Sequence, residues 1–331
     1  LMAAVLFIGS FSSAEEMEGR PDAIAKKNIK LLKDKQYEHE ARLALVALGK
    51  KAVPYLAEEA EDPAEKVSNR IAVIDILGYI RSPDAVDCLL ATLKDSNAKI
   101  RRSSAKALGE IRDRKSIEGL KNALTDFDAE TRFLAARALR NIKEEGLGDV
   151  FIKLLDDADI RIKILAVEGL GEIKETRSIE KISNLTGDYS DDLRLSIAVA
   201  LGKMGDKRSV PGLNKLLDDR SIKVRREALR GLGKVGDTSS IPYLIKISER
   251  DNKDLRYAAT LALGDIGTDE VIPTLRKLLH DEVIDVRLAA IMALAEIGRE
   301  EFIKDLQLLL NDESTKVRRE ALIAIDKIKG K

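Results

Sequence analysis

The chain has 331 residues, 34% charged and 44% hydrophobic, and its 57 basic side chains equal its 57 acidic ones. Zero net charge argues against the overall basic excess of a nucleic-acid-binding chain and leaves only local patches. Aromatics at 4% with no tryptophan offer few stacking platforms, and a single cysteine, Cys88, excludes an internal disulfide framework or a zinc site of several cysteines.

Residues 1–14 differ from the rest. Leu1 to Phe11 is an apolar run without charge, and Ser12, Ser13 and Ala14 place small residues before Glu15 and Glu16. This predicts a signal peptide, truncated at its start, and an exported protein, periplasmic or extracellular. The alternative is an apolar helix capping the array of a cytoplasmic protein. The run falls short of the ~20 residues of a membrane span, so no stable span is expected. Residues 15–66 read as an N-terminal cap and irregular first repeat, in which Arg42, Leu48, Gly49 and Pro54 follow the later pattern with shortened spacing.

From 67 to 331 the chain repeats. Leu77, Leu108, Leu139, Leu170, Leu201, Leu232, Leu263 and Leu294 recur every 31 residues, with Ile325 ending the series. Seven residues before each stands a base: Arg70, Arg101, Arg132, Lys163, Arg194, Arg225, Arg256, Arg287 and Arg318. A fixed period in this range is the signature of a solenoid. Six residues before the bases run the acids Asp95, Asp126, Asp157, Asp188, Asp219, Asp281 and Asp312, with Arg250 breaking the row and Asp251 one place away. An aspartate there can cap a helix, and an arginine can reach the carboxylate of its own or the next unit. Both ladders read as an inter-repeat seam.

Within residues 219–249, Val224, Ala228, Leu229, Leu232 and Val235 fall at helical spacing, and Gly236 closes that helix. Ser240 is placed to cap a second helix, with Pro242 in its first turn and Ile241, Leu244 and Ile247 on its apolar face. The closing position holds Gly205, Gly236, Gly267 and Gly298 in later units and Arg81, Arg112, Lys143 and Lys174 in earlier ones; a cation there suits the negative end of the helix dipole. A second glycine follows most of the key leucines, which predicts close approach of the paired helix. Cys88, within Val86, Leu89, Leu90 and Leu93, is expected to be buried.

The stretch Val224-Arg225-Arg226-Glu227-Ala228-Leu229-Arg230-Gly231-Leu232-Gly233-Lys234-Val235-Gly236-Asp237 resembles HEAT-like repeats of the phycobilisome-lyase type, and Leu255–Gly267 and Val286–Gly298 follow it closely. The resemblance covers about residues 67–331. It implies an all-α fold: a right-handed α-solenoid of about nine to ten stacked two-helix repeats, with second helices lining a concave face that binds partner proteins. It also keeps open a lyase-like enzyme or enzyme accessory, acting on a chromophore or a modified protein. His39-Glu40 is similar to the His-Glu pairs with which HEAT-repeat deoxyhypusine hydroxylases hold two irons. Those enzymes need several such pairs. The only other histidine, His280, precedes Asp281 in an inter-repeat turn, so neither metal nor cofactor is expected.

On the second helices Lys153, Lys215, Lys246 and Lys277 share a register, with Arg276 one place before it and Lys181 nearby. Stacking makes these six the candidate partner-binding residues, a basic stripe for a protein or peptide, acidic in character; the alternative is solubilising lysines neutralised by glutamates. The expected function is a non-enzymatic interaction scaffold, with a nucleic-acid binder ranked below it. No phosphate loop, serine elbow or zinc spacing supplies a catalytic residue. The oligomeric state is left open.

Overall fold

The computed structural model describes residues 21–330, so the expected signal peptide at 1–14 lies outside the described residues. Among these the chain is all-α, a solenoid of stacked helix pairs. None of the described helices is long and apolar enough to cross a membrane.

The described residues form two compact units that divide between Val150 and Phe151. The first holds α1 (Pro21–Leu31), α2 (Glu38–Leu48), α3 (Val53–Glu61), α4 (Val67–Ile80), α5 (Val86–Thr92), α6 (Ala98–Ile111), α7 (Ile117–Ala123) and α8 (Ala129–Ile142). The division falls within α9 (Gly148–Leu154). The second unit continues with α10 (Ile160–Glu172), α11 (Ile179–Ser183), α12 (Asp191–Met204), α13 (Val210–Leu216), α14 (Ile222–Val235) and α15 (Ile241–Arg250). It ends with α16 (Lys253–Ile266), α17 (Ile272–Leu278), α18 (Ile284–Ile297), α19 (Ile303–Leu308) and α20 (Thr315–Lys329).

Each repeat is therefore unequal. Its first helix commonly has 14 residues and its second often only 7. All eight recurring leucines are fully buried, and Ile325 is 3% exposed. Each contributes about 2 kcal/mol by leaving water, which is what the period encodes. Consecutive first helices pack on one another: α4 on α6 and α6 on α8 in the first unit, α10 through α20 in series in the second.

The glycine that follows most of the key leucines sits at that packing, not against the paired second helix as the sequence suggested. A Cβ built on Gly78 would lie 3.0 Å from Ala107 Cα, and one on Gly171 2.8 Å from Ala200 Cα. At Gly202 it would lie 2.7 Å from the Cα of another glycine, Gly231. These partners stand on the next first helix, at a position that is itself alanine or glycine.

The closing residue of the first helices adopts left-handed backbone whether or not it is glycine: φ is +60° at Arg112 and +56° at Lys143, against +70° at Gly236. The geometry of the stop thus outranks the dipole argument for the cations. A side chain in this region costs roughly 1–2 kcal/mol, part of which glycine returns through unfolded-chain entropy. Arg112→Gly should accordingly raise stability by about 0.5–1 kcal/mol and Gly236→Ala lower it by about 1 kcal/mol, read as opposite shifts of the urea midpoint.

Ser240 does not cap the second helix. A 3-10 turn, Thr238–Ser240, precedes α15, and Asp237 accepts from the Ser239 amide at 2.9 Å, while Ser240 is buried inside the turn. Asp113 and Asp206 do the same for Lys115 and Arg208.

The ladder aspartates are not helix caps either. Each accepts from the amide two residues on, as Asp95 does from Asn97 at 2.7 Å, Asp157 from Asp159 at 2.8 Å and Asp188 from Ser190 at 2.9 Å. In four repeats that later residue then caps the first helix with its side chain, as Asn97 takes the Lys99 amide and Asp128 the Thr131 amide. Ser221, Val283 and Ser314 form no such bond. The arginines reach forward. Arg101 grips Asp126 of the next repeat with two nitrogens, at 2.7 and 2.8 Å, and gives a third to the carbonyl of Asp95 in its own repeat at 2.9 Å. Arg194 holds Asp219 at 2.6 and 3.0 Å and the Asp188 carbonyl at 2.7 Å. Arg70 meets Asp95 at 2.8 Å, Arg256 meets Asp281 at 3.0 Å and Arg287 meets Asp312 at 3.0 Å. Arg225 pairs with the displaced Asp251, and Arg132 and Arg318 donate to the carbonyls of Asp126 and Asp312.

Cys88 is 5% exposed, its Sγ 3.7 Å from the Ala57 carbonyl. Burial, with Glu61 nearby, pushes the thiol up to about 12. Native protein at pH 8 should leave a disulfide reagent such as Ellman's unreacted over many minutes and react in full only on unfolding; rapid native labelling would contradict the burial.

Candidate functional site

In the second unit the short second helices turn their apolar side inward. Leu213, Leu216, Leu244, Leu275 and Leu278 are 0–3% exposed. Helical geometry then directs the residues between them outward. Lys153, Lys215, Lys246 and Lys277 are all exposed, each on a successive helix or the next but one. The fourth repeat in this register carries Asn184, also exposed, and the last carries Leu308, 65% exposed.

The six candidate cations do not form a uniform stripe. Lys181 is tied down by Asp156 at 2.6 Å and the Ile152 carbonyl at 3.0 Å. Arg276 bonds Asp305 at 2.9 Å and lies over the Phe302 ring, 5.4 Å from its centre. Lys277 meets Glu249 at 2.9 Å. For these three the neutralised alternative holds. Lys153, Lys215 and Lys246 are exposed and make no ion pair among the described residues.

His39 stands exposed on α2, and His280 in the turn between α17 and α18. No cluster of three or more metal-ligating side chains occurs among the described residues. The exposed apolar residues of the first helices in the second unit escaped sequence reasoning. Their signal was present in α18, Ile284-Asp285-Val286-Arg287-Leu288-Ala289-Ala290-Ile291-Met292-Ala293-Leu294-Ala295-Glu296-Ile297, which is apolar on every side. Such a helix is ordinarily buried all round.

Stacked pairs of helices, a buried leucine in each, and guanidinium–carboxylate links from one repeat to the next define a helical-repeat protein. The chain belongs to the HEAT-repeat family, whose pattern matches residues 53–140, 148–222, 210–285 and 278–331. Among solved structures it is similar to an engineered protein from the Northeast Structural Genomics Consortium, 22% identical, covering 92% of this chain and 99% of that one at a TM-score of 0.57. It also aligns with human deoxyhypusine hydroxylase in complex with glycerol, 18% identical, over 86% of this chain and 98% of that one, at a TM-score of 0.37. Among curated proteins none matches. At these identities the likeness speaks for the fold.

Proposed function

We propose that the chain is a non-enzymatic interaction scaffold that takes an acidic protein segment along the second helices of its second unit. The observation that carries this reading is the set of unpaired, exposed ammonium groups of Lys153, Lys215 and Lys246 at a constant register. Unpaired cations at a fixed rise attract a polyanionic chain and set its on-rate, and their contribution weakens with salt. Lys277, held by Glu249, extends the row only when a partner carboxylate replaces that glutamate. The repeat pattern at 224–237 supports assignment to the phycobilisome-lyase type of HEAT-like repeat, and the apolar run at 1–14 supports export.

A fluorescein-labelled oligoglutamate peptide is expected to bind purified protein at low salt, and Lys153→Glu, Lys215→Glu and Lys246→Glu combined should reduce that affinity at least tenfold. Equal binding by parent and triple variant would overturn the reading. Tighter binding of duplex DNA than of the peptide would move it to a nucleic-acid partner.

A further inference from the structure

The first helices of the last repeats carry an apolar surface, and α18 alone holds large apolar residues at all three of its outward positions 284, 288 and 292. On α18, Ile284, Leu288 and Met292 follow at every fourth residue along one face, and Ile284 and Met292 are 38% and 49% exposed. On α16, Tyr257 is 39% exposed and Leu261 follows it one turn on. On α20, Ile323 is 47% exposed at the position equivalent to Met292. The same positions on α6 hold Arg102 and Lys106, and on α14 Arg226 and Arg230, so a charged surface is a solution the repeat accommodates.

This surface has relief. Near their C-terminal ends α16 and α18 nearly touch, where a Cβ on Gly264 would come within 2.6 Å of Ala293 Cβ. Toward their N-terminal turns an open groove of about 560 Å3 lies across α16, α18 and α20, with Tyr257, Val283 and Ile284 as its apolar lining and a charged rim of Lys253, Lys316 and the carboxylates of Asp254, Glu282 and Asp285. The apolar row on α18 leads out of that groove for two turns, about 12 Å.

We infer that this groove and the row beside it receive the apolar face of an amphipathic helix from a partner protein, a second docking surface distinct from the lysine row. Area decides against a second copy of the chain. Six side chains at this exposure offer on the order of 400 Å2, half of the roughly 800 Å2 per partner that a stable dimer buries. A helix inserting two or three anchors at positions i, i+4 and i+7 needs an apolar row of this length and a cleft for the leading side chain. Methionine suits the role, since its unbranched thioether adapts to the shape of what it meets.

The test uses the full chain and a fluorescein-labelled 18-residue peptide of leucine, lysine and glutamate with leucines at positions i, i+4, i+7 and i+11. The same composition in scrambled order is the control. The ordered peptide should bind at least tenfold more tightly than the scrambled one. Met292→Lys and Ile284→Lys, both at exposed positions, should each weaken it about fivefold or more with an unchanged circular dichroism melt. Charge reversal at Lys153, Lys215 and Lys246 should leave it unaffected. The inference is overturned if neither peptide binds, if both lysine substitutions bind like the parent, or if the charge-reversed triple variant alone loses binding. Sedimentation showing a dimer that Met292→Lys dissolves would assign the surface to self-association instead.

Discussion

Gly202→Leu is expected to destabilise the second unit by about 3 kcal/mol or more, the larger of two effects that follow from the way repeats join. A Cβ at this position would meet the Cα of Gly231 at 2.7 Å, and backbone cannot rotate out of the way as a side chain can. The three further heavy atoms of leucine would have to push α12 from α14. Urea unfolding followed by circular dichroism at 222 nm should show the midpoint fall sharply. Gly187→Leu is a contrasting control, since nothing lies within 4 Å of a Cβ built there. A midpoint for Gly202→Leu within error of the parent would show that the first helices are not held by this contact.

Asp219→Ala should cost about 3 kcal/mol, because it strips the main partner from a guanidinium that is 5% exposed. Arg194 would keep only Asp191 and the Asp188 carbonyl. The paired apolar replacement, Arg194→Met with Asp219→Leu, should recover much of that loss, since it leaves no buried charge behind. Arg220→Ala, which removes an exposed contact to Asp191, should leave the midpoint unchanged. The seam also gives stability a defined dependence on pH. Burial alone would raise the Asp219 carboxyl, but the bonds from Arg194 and the Ser221 amide outweigh it and hold it below the usual 3.8. Asp126 is likewise lowered, chiefly by its bond from Arg101. A carboxyl lowered in the folded state stabilises fully above its unfolded pKa and loses that contribution as pH falls through its folded one. The parent should therefore weaken steeply below about pH 4, and Asp219→Ala should show a shallower acid limb.

The leucine period, the first helices and the crowding at the small residues were legible because each is written in every repeat. The identity of the crowding neighbour was not. Gly202 precedes both its own second helix and the next first helix, and only the fold shows that Gly231, 29 residues on, is the one it touches. The neutralising glutamate of Lys277, Glu249, was legible, but the acids that pin Lys181 and Arg276, Asp156 and Asp305, were hidden, since they stand in no common register with their bases. Ser240 misled for a local reason: a serine before Pro242 looks like a cap, but the 3-10 turn moves the cap back to Asp237. Finally, α18 was read only for its inward side, although Ile284, Leu288 and Met292 stood in plain sight on the other.

The forward reach of the arginines has a consequence for how such a chain changes length over generations. Arg256 and Asp281 both lie within residues 253–283, so excision of those 31 residues removes one complete couple. Arg225 keeps Asp251, Arg287 keeps Asp312, and Gly233 finds Ala293 where Ala262 had been, an alanine again. Loss of a block of this size keeps the seam couples whole and breaks only exposed or half-buried pairs, such as Lys277 with Glu249 and Arg276 with Asp305. Unequal recombination can lengthen or shorten the array in whole steps, while an insertion of any other size disturbs the couple that spans it.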